Sequence, residues 1–235
     1  MTQAQPYSDE ALRSVIELAC ILDDLKTRIR TGWLIWGIRA KRLESVAEHC
    51  FSCLTLANLL YPLYPNRDQI DLAKVNRMLI FHELGEPVIG DVPLVDKRRH
   101  SIKGALERRA WRKMLEHVPY REELYALLDE FEKRETPEAQ FAYYIDKIDA
   151  TKTAKGYYDR RKFHRLDWSV RHSELIRNNE DIQRMIRNGA KDPMDIWFDD
   201  VYAAYKGRDE FFWKVHCMLR EMNTNIQPPK LDVAS

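Results

Sequence analysis

The sequence predicts an all-α protein, a helical bundle with a C-terminal helical extension. Glycine occurs only eight times in 235 residues, whereas β-rich and doubly wound folds need many glycines in their turns. Long segments carry apolar residues at intervals of three and four, the spacing of a helix with one buried face. No segment keeps the strict alternation of apolar and polar residues that a half-buried strand requires. Together, these observations favour helices along the whole chain.

The first part of the chain divides into six predicted helices with recognisable ends. The apolar stripes predict helices over about residues 10–28, 44–61, 71–84, 101–117, 121–133 and 138–158. Pro62 and Pro65 follow the second helix, and Gly85 and Pro87 follow the third, because these residues disfavour continuation of a helix. Pro137 stands at the start of the sixth, where its missing N–H costs nothing.

The C-terminal part, residues 169–235, is predicted to be a helical extension packed on a core formed by residues 1–168. Two or three helices are expected there, with breaks near Gly189 and Gly207. A basic segment at residues 160–165 marks the seam, and no long flexible linker separates the two parts. The sequence therefore does not favour a second independent domain.

Composition and charge exclude several classes of protein. Apolar residues make up 45% and charged residues 32% of the chain, a balance that excludes collagen-like and disordered proteins. Lys and Arg number 38 against 37 Asp and Glu, so net charge does not select nucleic acid or a membrane as partner. No apolar run approaches the ~20 residues of a membrane span, and the N-terminal residues are too polar for a signal peptide. We therefore expect a cytoplasmic protein with no membrane partner, and nucleic acid is not favoured as a partner.

The four cysteines do not form a disulfide framework or a structural zinc site. Cys20, Cys50, Cys53 and Cys217 are too few and too scattered for the former. A structural zinc site would need a second closely spaced pair besides Cys50 and Cys53. These two lie on an apolar stripe of the second predicted helix and are expected to be reduced core residues.

Histidines and a carboxylate on three predicted helices form a candidate metal site. His49 lies on the apolar side of the second helix, and His82 ends the third. Asp146 lies among apolar and aromatic residues, where an unpaired carboxylate is costly to bury. Imidazole and carboxylate ligands suit Zn²⁺, Mn²⁺, Fe²⁺ or Co²⁺, and the core of a helical bundle is a common place for such a site. Taken singly, each residue also has a structural interpretation, including an ion pair of Asp146 with Lys147 or Lys152.

The motifs around these residues resemble those of one family. Residues 42–49 read RLESVAEH, residues 82–91 read HELGEPVIGD and residues 146–149 read DKID. With RTGW at residues 30–33, these motifs are similar to those of the HD-domain metal-dependent phosphohydrolases, in particular the 5'-deoxynucleotidase branch. The resemblance covers about residues 10–165 and implies that the helical bundle is an HD domain.

The resemblance also implies a set of site residues. The metal ligands would be His49, His82, Glu83 and Asp146. The catalytic residues beside a metal-bound water would be Glu86 and Asp91, and the residues that contact phosphate or sugar would be Arg30, Trp33 and Lys97. The family usually has a His-Asp doublet where this chain has His82-Glu83. Glutamate keeps the charge and the oxygen donors but adds one methylene.

The activity that the resemblance implies is removal of phosphate from (deoxy)nucleoside 5'-monophosphates by attack of a metal-bound water. The cofactor would be a divalent transition metal, Mn²⁺, Co²⁺, Zn²⁺ or Fe²⁺, and the protein would be a homodimer. A basic run over residues 97–113 contains eight Lys and Arg residues and one acid, Glu107. It is compatible with electrostatic steering of a phosphorylated substrate and equally with a solvated helix face.

Two other functions remain open on the sequence alone. HD-fold di-iron oxygenases resemble this chain but add two histidines between the doublet and the final aspartate, and His100 and His117 lie in that interval. Two irons per chain would favour this function. Alternatively, Glu83 marks a decayed site in a non-catalytic nucleotide-binding regulatory protein. Tight nucleotide binding without turnover would favour that.

Overall fold

The computed structural model describes residues 7–93, 96–162, 174–199 and 204–229, and within them only the backbone of Lys97, Arg98 and His100. In this part of the chain the elements are helical, apart from one isolated antiparallel bridge between Ile29 and Ser45. The predicted all-α fold is confirmed. None of the described helices combines the length and the apolarity that crossing a bilayer requires.

The described α-helices follow one another in chain order. They are α1 (Asp9–Leu22), α2 (Thr31–Ile35), α3 (Val46–Leu60), α4 (Leu72–Phe81), α5 (Glu86–Ile89), α6 (Lys97–Met114), α7 (Arg121–Lys133), α8 (Pro137–Asp159), α9 (Glu174–Arg177), α10 (Glu180–Arg187), α11 (Pro193–Trp197) and α12 (Glu210–Glu221). Short 3₁₀ helices cover Asp23–Lys26, Tyr61–Leu63 and Arg67–Gln69.

Helix α8 is the axis of the bundle, and α3, α4, α7, α11 and α12 pack against it. Its buried side chains lie on all sides rather than on one stripe, and they include Phe141, Ile145 and Ala154. A helix enclosed in this way must find partners inside the protein for any polar side chain it carries. Asp146 and Asp149 are two such buried residues, and their partners define the site described below.

Most predicted helices are found, with shifts at their ends. The fifth and sixth match closely, whereas the fourth begins at Lys97, because the Asp96 side chain caps it by accepting from the backbone N–H of Arg99. The short helices α2 and α5 were not predicted, since four or five residues are too few to show a helical period. The extension contains four described helices, α9 to α12, rather than two or three.

The described part of the extension shares its core with the bundle. Phe212 of α12 packs with ring centroids 5.3 Å from both Phe141 and Tyr144 of α8. Ile196 of α11 is fully buried in the same cluster. The predicted boundary at residue 168 falls in residues 163–173, outside the described residues, whereas Arg160, Arg161 and Lys162 of the basic segment lie within them.

Candidate metal centre and cavity

Two buried histidines and an aspartate converge at the centre of the bundle. Nε2 of His49 lies 3.3 Å from Nε2 of His82 and 3.2 Å from Oδ1 of Asp146. The sulfur of Cys53 lies 3.6 Å from both ring nitrogens of His49. One ligand atom from each of these four residues lies within 4.8 Å of the others. The sequence predicted three of the four as metal ligands.

The ends of α3 and α4 place the two histidines. A capping box begins α3: the Ser45 side chain accepts from the Glu48 backbone N–H at 3.2 Å, and Glu48 Oε2 accepts from the Ser45 N–H at 2.9 Å. This box fixes where the helix starts, and His49 follows within the first turns, facing α8. His82 is the residue directly after α4, where the chain leaves the helix.

The hydrogen bonds of the two rings direct both Nε2 atoms toward the same point. Nδ1 of His82 lies 3.0 Å from the Leu79 carbonyl oxygen, and Nδ1 of His49 lies 2.8 Å from Oδ2 of Asp149. Both partners only accept hydrogen bonds, so each Nδ1 carries a proton and each Nε2 is the position at which a further cation, a proton or a metal ion, binds. Two facing lone pairs beside the Asp146 carboxylate favour a cation between them, and this donor set fits a divalent transition metal.

The charges around His49 support the same conclusion. Burial and the neighbouring Arg30 lower its pKa, but hydrogen bonds to Asp146 and Asp149 outweigh them and raise it to about 9. Burial lowers the pKa of His82. For Asp146, burial alone would raise the pKa, whereas Lys147 and His49 hold it well below its usual value. The carboxylates therefore stay ionised and stabilise positive charge at this position, whether a proton or a metal ion carries it.

Asp149 and its hydrogen-bond partners orient the His49 ring through Nδ1, the nitrogen that faces away from His82 and Asp146. The second carboxylate oxygen of Asp149 accepts from Ser52 Oγ at 2.6 Å and from Lys152 Nζ at 2.7 Å. Lys152 also donates to Ser52 at 2.6 Å. Burial alone would raise the pKa of Asp149, but His49 and Lys152 lower it to about 2. A carboxylate that accepts from the remote nitrogen of a metal-binding histidine fixes the orientation of its ring.

Glu83 lies at the edge of the converging atoms rather than among them. Its Oε1 is 3.7 Å from His82 Nε2 and 3.7 Å from an Arg30 guanidinium nitrogen. Burial alone would raise the pKa of Glu83, but Lys103, His82 and Arg30 hold it well below its usual value. Burial raises the pKa of the nearer Cys53 thiol far above its usual value, which disfavours the thiolate that metals bind. Cys53 is thus the nearer residue and Glu83 the charged one. The role of Glu83 as a metal ligand stays a prediction.

The two predicted catalytic carboxyls differ in position. Asp91 lines the cavity and accepts a short hydrogen bond from the backbone N–H of Thr31, whose hydroxyl donates to the Asp91 carbonyl at 3.2 Å. Gly90, with φ of 74°, ends α5 and allows the turn that brings Asp91 there. Glu86 is fully buried, and burial together with Glu83 and Asp91 raises its pKa to about 10. Glu86 therefore keeps its proton at neutral pH.

A cavity of about 280 Å³ lies beside His82, and several cationic side chains line it. Arg30, Lys103 and Lys147 line it. Lys103 pairs with Glu107 at 3.2 Å, and Lys147 pairs with Asp146 at 2.7 Å. The bridge between Ile29 and Ser45 ties the segment before α2 to the start of α3, and Arg30 in this segment lies 3.7 Å from Glu83 Oε1. Carboxyl groups line the cavity as well, among them Glu83, Asp91 and Glu107, so the side chains alone are not net positive. An anionic ligand would need a divalent cation at the histidines to complete the balance of charge.

Of the three residues predicted to contact sugar or phosphate, two have side chains that the structure describes. Trp33 lines the cavity, and its indole N–H donates to Glu44 Oε2 at 3.0 Å. Arg30 lines it as well, and although burial alone would lower its pKa, Asp91 and Glu83 raise it. The side chain of Lys97 lies outside the described residues.

Comparison with known proteins assigns the family. Residues 22–187 match the family described as HD domain. The chain belongs to this family. It is 26% identical over 155 residues to 5'-deoxynucleotidase HDDC2 of Homo sapiens, a match that covers 65% of this chain and 72% of the relative. It is 29% identical over 142 residues to 5'-deoxynucleotidase hdd1 of Schizosaccharomyces pombe, covering 58% and 68%.

Solved structures share the fold of this chain. A protein from Pyrococcus horikoshii OT3 superposes with a TM-score of 0.55 at 24% identity, over 85% of this chain and 99% of that one. A protein from Magnetospirillum magnetotacticum MS-1, described as a predicted metal-dependent phosphohydrolase, gives 0.54 at 26% identity over 66% and 78%. The resemblance stated from the sequence motifs is confirmed.

The structure does not assemble the histidine set of a di-iron oxygenase in the part it describes. His117 lines a separate surface pocket of about 750 Å³, together with Arg108 and Arg112. Within the described residues His117 joins no group of metal-ligating side chains. The side chain of His100 lies outside them. Among the described residues, no histidine beyond His49 and His82 joins the candidate metal site, as a di-iron oxygenase would require.

Sequence reasoning missed several residues that the structure places at the site. The sequence predicts no role for Asp149 of the DKID motif, although its position three residues after Asp146 puts both on one side of α8. Lys103 was only one member of the basic run, and Lys147 only a structural partner of Asp146. For Trp197 the sequence left three places open, in the core, over the pocket or at a dimer surface. The structure places it in the cavity lining, 51 residues beyond Asp146, a connection that no local pattern encodes.

Proposed function

We propose that this HD-domain protein is a metal-dependent phosphohydrolase that removes phosphate from (deoxy)nucleoside 5'-monophosphates. The observation that carries the proposal is the convergence of the His49 and His82 Nε2 atoms with Asp146, beside a cavity lined by Arg30, Lys103 and Lys147. Relatives named 5'-deoxynucleotidases support the choice of substrate class.

The metal site comprises His49, His82 and Asp146, with Glu83 as the fourth ligand. Two imidazoles and carboxylates suit Mn²⁺, Co²⁺, Zn²⁺ or Fe²⁺. A divalent ion held there supplies a Lewis acid for a phosphate oxygen and lowers the pKa of water. Asp149 keeps the His49 ring oriented through the 2.8 Å contact with its Nδ1.

The other side chains of the cavity bind the phosphate and accept the proton of the attacking water. Arg30 and Lys103 bind the phosphoryl oxygens and offset the negative charge that develops as the P–O bond breaks. Asp91, anchored by Thr31, orients the attacking water and accepts its proton. Glu86 is fully buried near Glu83 and keeps its proton, so it adds no further negative charge to the site.

The substrate side and the assembly complete the proposal. Trp33 and Lys97 contact sugar or phosphate, and residues 169–235 act as an extension packed on a core of residues 1–168. We further propose a cytoplasmic homodimer. Three apolar side chains of α3 and the 3₁₀ helix after it, Phe51, Leu59 and Leu63, are largely exposed, which is compatible with a surface that a second copy covers.

A phosphate-release screen tests the proposal. The purified protein is stripped with a chelator, reloaded with Mn²⁺, Co²⁺, Zn²⁺ or Mg²⁺, and assayed with deoxynucleoside and ribonucleoside 5'-monophosphates. We expect release of phosphate that depends on one of the transition metals. Activity that survives complete metal removal would refute the proposal, and so would tight nucleotide binding without turnover under every metal.

A further inference from the structure

The extension supplies one wall of the candidate active-site cavity. Trp197 is the last residue of α11 and lines the cavity, ten residues beyond the end of the HD-domain match at residue 187. It is 8% exposed, so it borders the cavity while most of its ring is packed. A residue outside the family match thus reaches the site where the family chemistry is expected.

Neighbouring rings hold Trp197 in a fixed position. Its ring centroid lies 5.6 Å from that of Trp33, with 26° between the ring planes, and 5.9 Å from that of Trp36. Helix α11 is anchored at its start, where Asp192 and Asp195 form a capping box and Tyr158 of α8 donates to Asp192 at 2.8 Å. The aromatic wall is therefore preformed, and binding need not order it.

The cavity lining combines two chemically different groups of side chains. His82, Asp146 and Lys103 provide candidate ligands and charge, whereas Trp33, Trp36 and Trp197 form an aromatic side of neighbouring rings. A molecule with a phosphate at one end and a flat, weakly polar ring at the other matches both groups at once. Aromatic side chains stack on nucleobases of every type, which suits a nucleotide with its base toward Trp197.

We propose that Trp197 is a specificity-determining residue that contacts the nucleoside moiety, and chiefly the base, of a nucleotide whose phosphate lies at the metal centre. The inference rests on the proposed function, because it takes the phosphate position from it. It adds that α11 forms part of the substrate-binding site through Trp197 and is not only a structural support for the bundle.

Paired substrates separate contact with the base from a general role in structure. The variants are Trp197→Ala and Trp197→Phe, with Trp213→Phe as control, because Trp213 lies in the same extension, stacks on His216 and is not among the cavity-lining residues. Each protein is assayed with a deoxynucleoside 5'-monophosphate and with 2-deoxyribose 5-phosphate, which has the same phosphate and sugar but no base.

For Trp197→Ala we expect KM for the nucleotide to rise about 10- to 100-fold, the range of one base–aromatic contact, with kcat nearly unchanged. For 2-deoxyribose 5-phosphate, kcat/KM should change by less than about threefold. Trp197→Phe should recover most of the loss, and Trp213→Phe should match wild type. Equal losses on both substrates, or no loss on either, would overturn the inference.

A binding measurement distinguishes failure of this inference from failure of the proposed function. Calorimetric titration with a 2'-deoxynucleoside, which has no phosphate to hydrolyse, reports on the aromatic side alone. Binding that weakens at least about tenfold in Trp197→Ala supports the contact even if no nucleotide is turned over. Equal affinity of wild type and Trp197→Ala for the nucleoside would overturn it even if phosphate release is robust.

Discussion

Two lysine–aspartate pairs lie one after the other on α8 and serve different ends. Lys152 donates to Asp149 at 2.7 Å, and Lys155 donates to Asp159 at 2.7 Å. The other oxygen of Asp149 faces the ring of His49. The other oxygen of Asp159 accepts from the backbone N–H and the hydroxyl of Thr224, both at 2.7 Å.

The difference lies in what the rest of the fold brings to each pair. The first pair contacts His49 of α3 and so supports a residue of the candidate metal centre. The second receives the segment after α12, since Lys155 also donates to the Met222 carbonyl at 2.7 Å, and becomes an anchor for the extension. The spacing of Asp and Lys along a helix therefore predicts that an ion pair forms but not what the pair does. Variants of Asp149 and Asp159 can be compared directly to test the difference.

Removal of a metal ligand should give the largest effect. His82→Ala and Asp146→Ala each remove a donor from the converging group, so metal content and phosphate release should fall by more than the roughly 100-fold that loss of an outer partner costs. Helix content should change little, because α4 and α8 keep their apolar contacts. Metal stoichiometry, turnover and circular dichroism provide the test, and wild-type turnover in either variant would refute the ligand assignment.

The next effect concerns the fourth ligand, for which Glu83 and Cys53 compete. If Glu83 binds the metal, Glu83→Gln removes an anionic donor and weakens metal binding strongly, whereas Glu83→Asp retains metal with a changed preference. Cys53→Ala serves as the paired variant and should keep the metal, because its thiol is held in the neutral form. Metal lost in Cys53→Ala but kept in Glu83→Gln would reverse the assignment.

Asp149→Asn tests the supporting pair against the anchoring pair. The amide no longer provides the charge that orients His49 and faces Lys152, so metal affinity and turnover should fall about 10- to 100-fold. Asp159→Asn is the matched control, with the same change on the same helix next to another lysine, and should leave metal affinity unchanged. Equal losses of metal affinity in the two variants would mean that the pairs do not differ in role.

The comparison also shows what the sequence could and could not predict. His49, His82 and Asp146 were predictable, because each motif carries its own local pattern and three helices of a bundle can face one core. The contact of Asp149 with His49 could also have been predicted, since helical spacing places Asp149 on the same side of α8 as Asp146. The contacts of Asp159 with Thr224, and of Trp197 with Trp33, depend on where the extension folds back, which no local period encodes.

The smallest expected effect is on stability, at the anchoring pair. Asp159→Asn weakens the contact with Lys155 and replaces a charged acceptor of two hydrogen bonds from Thr224, so the free energy of unfolding should fall by about 1–3 kcal/mol. Burial alone would raise the pKa of Asp159, but hydrogen bonds from Lys155 and Thr224 hold it below its usual value. This stabilisation is present above the unfolded-state pKa of the carboxyl and is lost as pH falls through the lowered folded-state pKa.

Denaturant unfolding of wild type and Asp159→Asn across the acidic range measures this contribution as a difference between the two proteins. The difference should be full at neutral pH and should shrink as the wild-type carboxyl becomes protonated, because the variant has no group to titrate there. Other carboxylates titrate in both proteins and cancel. A difference that is independent of pH would show that the charge of Asp159 does not anchor the extension. Loss of metal from Asp159→Asn would show instead that the anchor and the metal centre are one cooperative unit.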